Sequence, residues 1–348
     1  MSRRQRFADL LHRSGALHAV LAARARRSPS WLGVLTFHRF PSDGPELFDD
    51  GVVDTTDEDF DAQIAHLKRY FTILGSAELC ELMAGATPPP NPAAITFDDG
   101  YLDCHARALP ILERHGCKAV FFVATEVISE RRVFWWDRAA YLVKLSQRDT
   151  LKLRYPVELE VPLVADRSRT IQELLRFVKR RQLAARFDLE RFLEELAVAA
   201  GVRWTREEEL AFADRLIMTW DQVRALQRAG MDIESHGKNH RTLQTLSRAE
   251  LEEELLGSRL DLARELGEPP RLIAYPGGNP LAYSSPARTA MEKAGYSLGF
   301  SNHTGPMALR GELDVYDVRR HAISRDHLPP LLLTVLALPR LAHRHAWD

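Results

Sequence analysis

The sequence predicts an α/β fold in which short parallel strands alternate with helices, and three observations carry that expectation. Apolar runs of strand length alternate with segments of helical periodicity over most of the chain. Capping residues mark several helix starts and glycines mark their ends. Polar residues capable of chemistry follow several of the apolar runs directly. At 348 residues, 45% apolar and 27% charged, the chain can bury one large core or two modest ones. Lys and Arg total 47 against 48 Asp and Glu, a net charge of -1, so no global field favours nucleic acid.

Residues 32–37 form the first expected strand. The helix after it carries Phe60, Ile64 and Leu67 on one face and Asp57, Glu58 and Asp59 at its positive end. A proline-rich loop at 87–92 leads to a second strand at 93–97, which runs into Asp98-Asp99-Gly100; residues 118–124 form a third. From Thr125 to about Leu216 the pattern becomes helical, with Ile171, Leu174, Leu175 and Val178, then Leu189, Phe192, Leu193 and Leu196, at i, i+3, i+4, i+7 spacing. This is read as a mostly helical insertion, 126–216. The Lys179-Arg180-Arg181 run in it reads as a solvated face or as a contact for an anionic substrate or lipid. The strand–helix rhythm resumes at Thr219, which with Gln222 forms a capping box; Val223 and Leu226 face inward and Gly230 ends the helix. Strands are expected at 231–235, 271–275 and 296–301. The helices between them are capped by Ser247 with Glu250, closed at Gly267, started at Ser285-Pro286 and stopped at Gly295.

The three cysteines, Cys80, Cys104 and Cys117, show no CxxC spacing, so neither a disulfide framework nor a thiolate metal site is expected. In the N-terminal segment, 1–30, Arg3, Arg4 and Arg6 precede apolar residues that Arg13, His18 and Arg24 interrupt; no signal-peptide core forms, and a cytoplasmic location is expected. Phe7, Leu10 and Leu11 recur at helical spacing among arginines, which describes either a helix packed on the domain or a basic amphipathic helix peripheral to an anionic membrane. In the C-terminal segment, 327–348, the apolar run from Leu331 to Leu338 stops at Pro339 and Arg340. That falls far short of the ~20 residues of a membrane span, so it reads as a docking segment.

His38, Asp98, Asp99, His236 and the turn after Tyr275 all follow apolar strands, so a barrel of parallel strands would gather them on its C-terminal rim, where such barrels hold active sites. Each has a plainer reading: Asp-Asp-Gly as a turn, His236 and His240 as unrelated polar residues, His38 as a core histidine. Together they supply the parts of a metal-assisted hydrolase. Two imidazoles and a carboxylate hold a divalent ion with open positions, and such an ion lowers the pKa of water towards ~7. A spare carboxylate and a spare imidazole move protons, which an amide needs because its nitrogen must be protonated to depart.

Thr96-Phe97-Asp98-Asp99-Gly100 and Ser235-His236-Gly237-Lys238-Asn239-His240 resemble the first two motifs of the polysaccharide deacetylases of the NodB-homology type. Ala274-Tyr275-Pro276-Gly277-Gly278 resembles the third, in the variant that lacks the usual arginine. The opening Leu35-Thr36-Phe37-His38-Arg39 is similar to the start of the circularly permuted poly-N-acetylglucosamine deacetylase branch. The resemblance spans roughly 32–125 and 219–325. It implies a distorted (β/α)7 barrel made of 31–125 and 217–326, with Asp98 as general base, His38 as general acid, and Asp99, His236 and His240 as ligands of a divalent metal, zinc first. The substrate implied is an N-acetylated glycan or lipid-linked sugar. Because Ala274 stands where many members have an arginine orienting the aspartate, another cation is expected to substitute, and Arg320 in Val318-Arg319-Arg320-His321-Ala322 is the candidate; the alternative is that Arg320 pairs with a surface carboxylate. The backbone N–H of Tyr101 and the residue Tyr275 are further substrate or oxyanion candidates, and Trp135 and Trp136 either stack on sugar rings or fill core. Two other functional readings stay open: hydrolysis of another amide or an O-acetyl ester, and an inactive barrel that binds glycans.

Overall fold

A computed structural model describes residues 3–26, 31–183, 187–277, 284–311 and 313–339. Strands β1 (Trp31–Phe37), β2 (Thr72–Ile73), β3 (Pro92–Phe97) and β4 (Val120–Val123) precede the hairpin of β5 (Thr150–Leu153) and β6 (Leu159–Pro162). After it come β7 (Asp232–Ser235), β8 (Leu272–Ala274), β9 (Leu298–Thr304), β10 (Met307–Ala308) and β11 (Val318–Ala322). Seven of these close into a barrel of parallel pairs, in the order β1, β3, β4, β7, β8, β9, β11 and back to β1. The fold is a distorted (β/α)7 barrel, as the resemblance implied.

Side-chain alternation along the strands sorts the two faces. Leu32, Val34, Ala94, Val120, Phe122, Leu272, Ala274, Leu298, Phe300 and Val318 form one buried cluster, the barrel interior. Leu35, Phe37, Ile95, Phe97, Phe121 and Val123 belong to the larger cluster between the strands and the surrounding helices. Those helices include α1 (Arg3–Arg13), α2 (Ala16–Ala25), α3 (Asp57–Tyr70), α4 (Ser76–Met83), α5 (Leu109–His115) and α6 (Thr125–Ser129). Leu79, Leu82 and Met83 of α4 join the interior cluster, and Ser76 N–H donates to Asp232 at the start of β7, so α4 plugs the N-terminal mouth.

Between β4 and β7 lie α7 (Trp135–Leu145), α8 (Arg167–Gln182), α9 (Leu189–Ala200), α10 (Arg206–Leu216) and α11 (Trp220–Arg228), the first four together with the β5–β6 hairpin that helical periodicity did not announce. α12 (Arg248–Leu266) and α13 (Ser285–Ala294) follow β7 and β8. The expected caps are present: Thr219 with Gln222, Ser247 with Glu250, and Gly267 and Gly295 in the left-handed region. The expected C-terminal docking segment is described as far as residue 339. It forms α14 (Pro329–Ala337), whose residues 331–337 are all buried; Leu336 packs against Gly33 of β1 and its carbonyl accepts from Arg24. Residues 340–348 lie outside the described residues. α1 rests on α14 through Ala8, Leu331 and Val335. Among the described residues no helix is long and apolar enough to cross a membrane.

Candidate active site

Strand register puts the first two site residues side by side. Phe37 pairs with Phe97 in adjacent parallel strands, so His38 and Asp98 both emerge from the C-terminal rim, and Asp98 N–H donates to the Phe37 carbonyl. The chain then turns sharply, with Asp99 at φ 75° and Gly100 at φ 93°. Left-handed backbone is disfavoured for residues with a Cβ, and such positions concentrate at functional sites. Here the turn separates two adjacent carboxylates: Asp98 reaches Arg320 and Asp99 reaches the histidine pair.

His236 follows β7 and His240 lies four residues on, at φ 56°. The loop between them is held by Glu254 of α12, a buried carboxylate that accepts from Asn239 N–H (2.7 Å), the Asn239 side-chain amide (3.2 Å) and Arg241 N–H (3.2 Å). Gly237, at φ 77°, passes so close to this carboxylate that a Cβ would sit 2.8 Å from it. His236 Nδ1 lies 2.9 Å from the Ala274 carbonyl. A carbonyl only accepts, so Nδ1 carries the proton and Nε2 presents its lone pair. That lone pair lies 3.4 Å from Asp99 Oδ1, and His240 Nε2 lies 3.3 Å from the same oxygen.

Ligand atoms of Asp99, His236 and His240 all lie within 4.8 Å of one another. Tetrahedral ligands at the usual 2.0–2.1 Å from zinc are separated by about 3.3 Å. The observed Nε2–Oδ1 spacings match that edge, and the donor set is one anion with two imidazoles. The residues therefore fit a divalent ion. Burial alone would push the Asp99 carboxyl up; hydrogen bonds from the two histidines, each needing a proton on Nε2 that a bound ion would replace, hold it well below the usual carboxylate range. Burial pulls His240 down, towards the neutral form a ligand needs.

Asp98 is 1% exposed, and burial would raise its pKa, yet Arg320, followed by His236, holds it below the ordinary value. Arg320 extends from β11 across the rim, two residues beyond the inward-facing Val318. Its Nη1 and Nη2 donate to the two carboxylate oxygens at 2.7 and 2.8 Å. Its Nη2 also donates to the Asn302 side-chain oxygen and its Nε to the Ser301 carbonyl. Arg320 is thus a buried partner of Asp98, and the surface-carboxylate alternative is set aside.

His38 faces a partner that sequence reasoning missed. One oxygen of Asp54 accepts from both His38 N–H (2.5 Å) and His38 Nδ1–H (2.9 Å), which leaves Nε2 for the cleft. Burial lowers the His38 pKa, but the Asp54 charge and hydrogen bond, aided by Asp99 and Asp98, push it up to about 9. Asp54 sits in a loop, and nothing in its local sequence, Val53-Asp54-Thr55, marks it.

His38, Asp98, Asp99, His236 and His240 line one cleft of about 280 Å³, together with Asp49, Trp135, Trp136, Lys179, Arg180, Thr242, Gln244 and Asn302. Trp136 is 7% exposed, stacks on Phe134 and sets its edge against His240, so it is floor; Trp135 is half-buried, packs on the core and also lines the cleft. Tyr275 is placed differently from what a substrate contact requires, and Tyr101 contributes no side chain to one. The Tyr275 ring lines the cleft, but its hydroxyl donates to the Tyr316 carbonyl and its N–H to the Phe300 carbonyl, so neither is available to a substrate. The Tyr101 side chain is fully buried behind the carboxylates, its hydroxyl donating to Asp137 and accepting from Trp136. Gly277 lines the cleft at φ 74°, while Gly278 of the third motif lies outside the described residues.

A closed parallel barrel with this carboxylate–imidazole centre on its C-terminal rim has the form of a hydrolytic enzyme. Residues 85–154 and 169–299, more than half of the chain, match the polysaccharide deacetylase profile; the chain belongs to that family and is a carbohydrate deacetylase. The matched stretches hold Asp98, Asp99, His236 and His240 but not His38, Asp54 or Arg320, whose places rest on geometry. They also take in much of the insertion and leave out 32–84, unlike the extent of the motif resemblance. Among solved structures, the deacetylase PplD of Streptococcus pyogenes in complex with acetate is 17% identical, with 88% of this chain and 98% of that chain covered and a TM-score of 0.57. IcaB of Ammonifex degensii is 16% identical, with 89% and 98% covered and a TM-score of 0.54. A polysaccharide deacetylase of Bacillus cereus is 15% identical, with 88% and 69% covered and a TM-score of 0.53. At such identities the likeness speaks for the fold. No curated protein matches the chain.

Proposed function

We propose that this enzyme removes N-acetyl groups from an amino-sugar glycan or glycolipid and releases acetate. One observation carries the reading: a cation-ready Asp99–His236–His240 cluster is flanked by an anionic, arginine-held Asp98 and by a protonated, aspartate-held His38. An ion bound by those three residues, which we assign as zinc, supplies Lewis acidity towards the acetyl carbonyl and the attacking water. Asp98 accepts the proton of that water as it adds to the acetyl carbon, and Arg320 keeps the carboxylate ionised and aimed. The backbone N–H of Tyr101, just past the turn, is assigned to the developing oxyanion. His38 Nε2–H protonates the sugar nitrogen as the C–N bond breaks, leaving a free amine and acetate. The raised pKa of His38 suits amide cleavage, whose leaving nitrogen must be protonated. The test is acetate release from N-acetylglucosamine oligomers and from O-acetylated xylan in parallel, by wild type and by Asp98→Asn. Release from the O-acetylated polymer alone would overturn the proposal.

We further infer that the protein lies against a membrane on the cytoplasmic side through α1, where a lipid-linked sugar would be met. Phe7 (45% exposed) and Leu10 (65% exposed) project among the exposed Arg4, Arg6 and Arg13, on the side away from the buried Ala8. An apolar tip rimmed by cations is the composition of an interfacial helix. Co-sedimentation with vesicles of anionic and of neutral phospholipid tests this: binding to the anionic vesicles that Phe7→Ser/Leu10→Ser abolishes is expected, and equal behaviour of that variant removes the inference.

A further inference from the structure

The charged residues that line the cleft differ in how they are partnered. The rim residues are all matched: Asp98 by Arg320, Asp99 by His236 and His240, and His38 by Asp54. Lys179 and Arg180, which also line the cleft, are not. Among the described residues neither side chain makes an ion pair or hydrogen bond, and both are exposed. α7 and α8 pack on one another, and the start of α7 and the end of α8 both reach the cleft, placing Trp135 and Leu183 with these two cations.

The plainest account of basic residues in the last turn of α8 is the helix dipole, which favours Lys179, Arg180 and Arg181 equally. It does not explain their divergence. Arg181 lies over the Phe177 ring, 5.1 Å from its centroid, whereas Lys179 and Arg180 line the cleft. Asp49 is the carboxylate that feels the Lys179 charge, but it lies beyond ion-pair distance, and Oδ1 of Asp49 accepts from Gly51 N–H and the Gln172 amide.

We propose that Lys179 and Arg180 form an anion subsite that selects amino sugars carrying a phosphate, with Trp135 offering a face to the adjoining ring. An exposed ammonium and guanidinium lining one cleft suit a phosphate, which offers several strong acceptor oxygens at once. This deepens the deacetylase reading and rests on it. Both cations are exposed and, among the described residues, make no ion pair or hydrogen bond, so their removal leaves the fold intact.

The experiment compares acetate release from methyl N-acetylglucosaminide, N-acetylglucosamine 1-phosphate and the same sugar joined to a polyprenyl phosphate in detergent, by wild type and by Lys179→Ala/Arg180→Ala. A kcat/KM at least tenfold higher for a phosphorylated substrate, falling towards parity in the double variant and weakening as salt rises, is the expected result. Preference for the polyprenyl substrate over the soluble phosphate assigns the source to a lipid carrier; the reverse order assigns it to a soluble sugar phosphate. Equal use of all three, or a preference that survives the double substitution, overturns the subsite. Titration of N-acetylglucosamine 1-phosphate followed by tryptophan fluorescence separates the two readings if no substrate yields acetate. Binding that the double variant loses keeps the subsite while the reaction fails, and binding that is absent or unaffected removes it.

Discussion

Arg320 and Asp98, 222 positions apart in the chain, meet in a two-pronged ion pair at 2.7 and 2.8 Å beneath the cleft, both essentially without solvent access. In the proposed mechanism the pair does for Asp98 what the motif arginine, absent at Ala274, would do, and from a different strand. Breaking it leaves a buried carboxylate uncompensated, which costs about 3–5 kcal/mol.

Arg320→Met therefore lowers stability by that order in denaturant unfolding. It also removes the largest influence lowering the Asp98 pKa, so the acid limb of the pH–rate profile moves upward and activity near pH 7 falls about 100-fold or more. Arg320→Lys keeps the charge but loses the fork and recovers part of the activity. An unmoved acid limb in Arg320→Met would separate Arg320 from the base.

In the proposed mechanism the alkaline limb belongs to His38. Its folded pKa is raised to about 9, so the acid form is present below that pH and lost as pH climbs through it. A bound divalent cation repels the imidazolium and draws the limb lower. Asp54→Asn removes the principal upward influence, and the His38 titration, followed by NMR on ion-free protein, drops by about 1–2 units.

Asp99→Ala, His236→Ala and His240→Ala each abolish metal content and acetate release together. In the wild type a chelator does the same, and added zinc restores activity. Full activity in Asp99→Ala would refute the ligand assignment.

Glu254 touches none of the reacting groups but orders the loop that carries His240. Glu254→Ala strands three hydrogen-bond donors, with an expected loss of about 1–3 kcal/mol and a fall of about 10–100-fold in zinc affinity. A metal titration beside a thermal melt reads both, and wild-type affinity in a destabilised variant would confine Glu254 to folding.

Gly299 is required by close approach. A Cβ there would fall 1.7 Å from the Tyr275 hydroxyl, which bonds the Tyr316 carbonyl. Gly299→Ala forces that tyrosine out and lowers the melting temperature by several degrees, because overpacking a core costs about 1–3 kcal/mol.

Legibility in the sequence followed how each residue is framed. Asp98 and Asp99 follow a buried apolar run and His236 a segment of strand length, so their rim position could be read from pattern. β11 could not, since Val-Arg-Arg-His-Ala looks like a charged surface segment until the barrel closes and turns Arg320 inward. Asp54 and Glu254 were invisible for a related reason. Each acts through a contact between separate elements, 16 residues from His38 in one case and 13 to 15 from the loop residues it holds in the other. The β5–β6 hairpin escaped because its four-residue strands sit between long helical patterns.

The sequence by itself determined the local order: which segments become strands or helices, where they are capped, and which carboxylates and imidazoles stand at strand ends. Those are short-range preferences, written within a few residues of where they act. Only the tertiary structure decided which cation answers Asp98, which anion answers His38, and that Lys179 and Arg180 face the cleft while Arg181 lies against Phe177. Charge pairing depends on distance in space, and closing a barrel of seven strands sets those distances among residues that the chain keeps far apart.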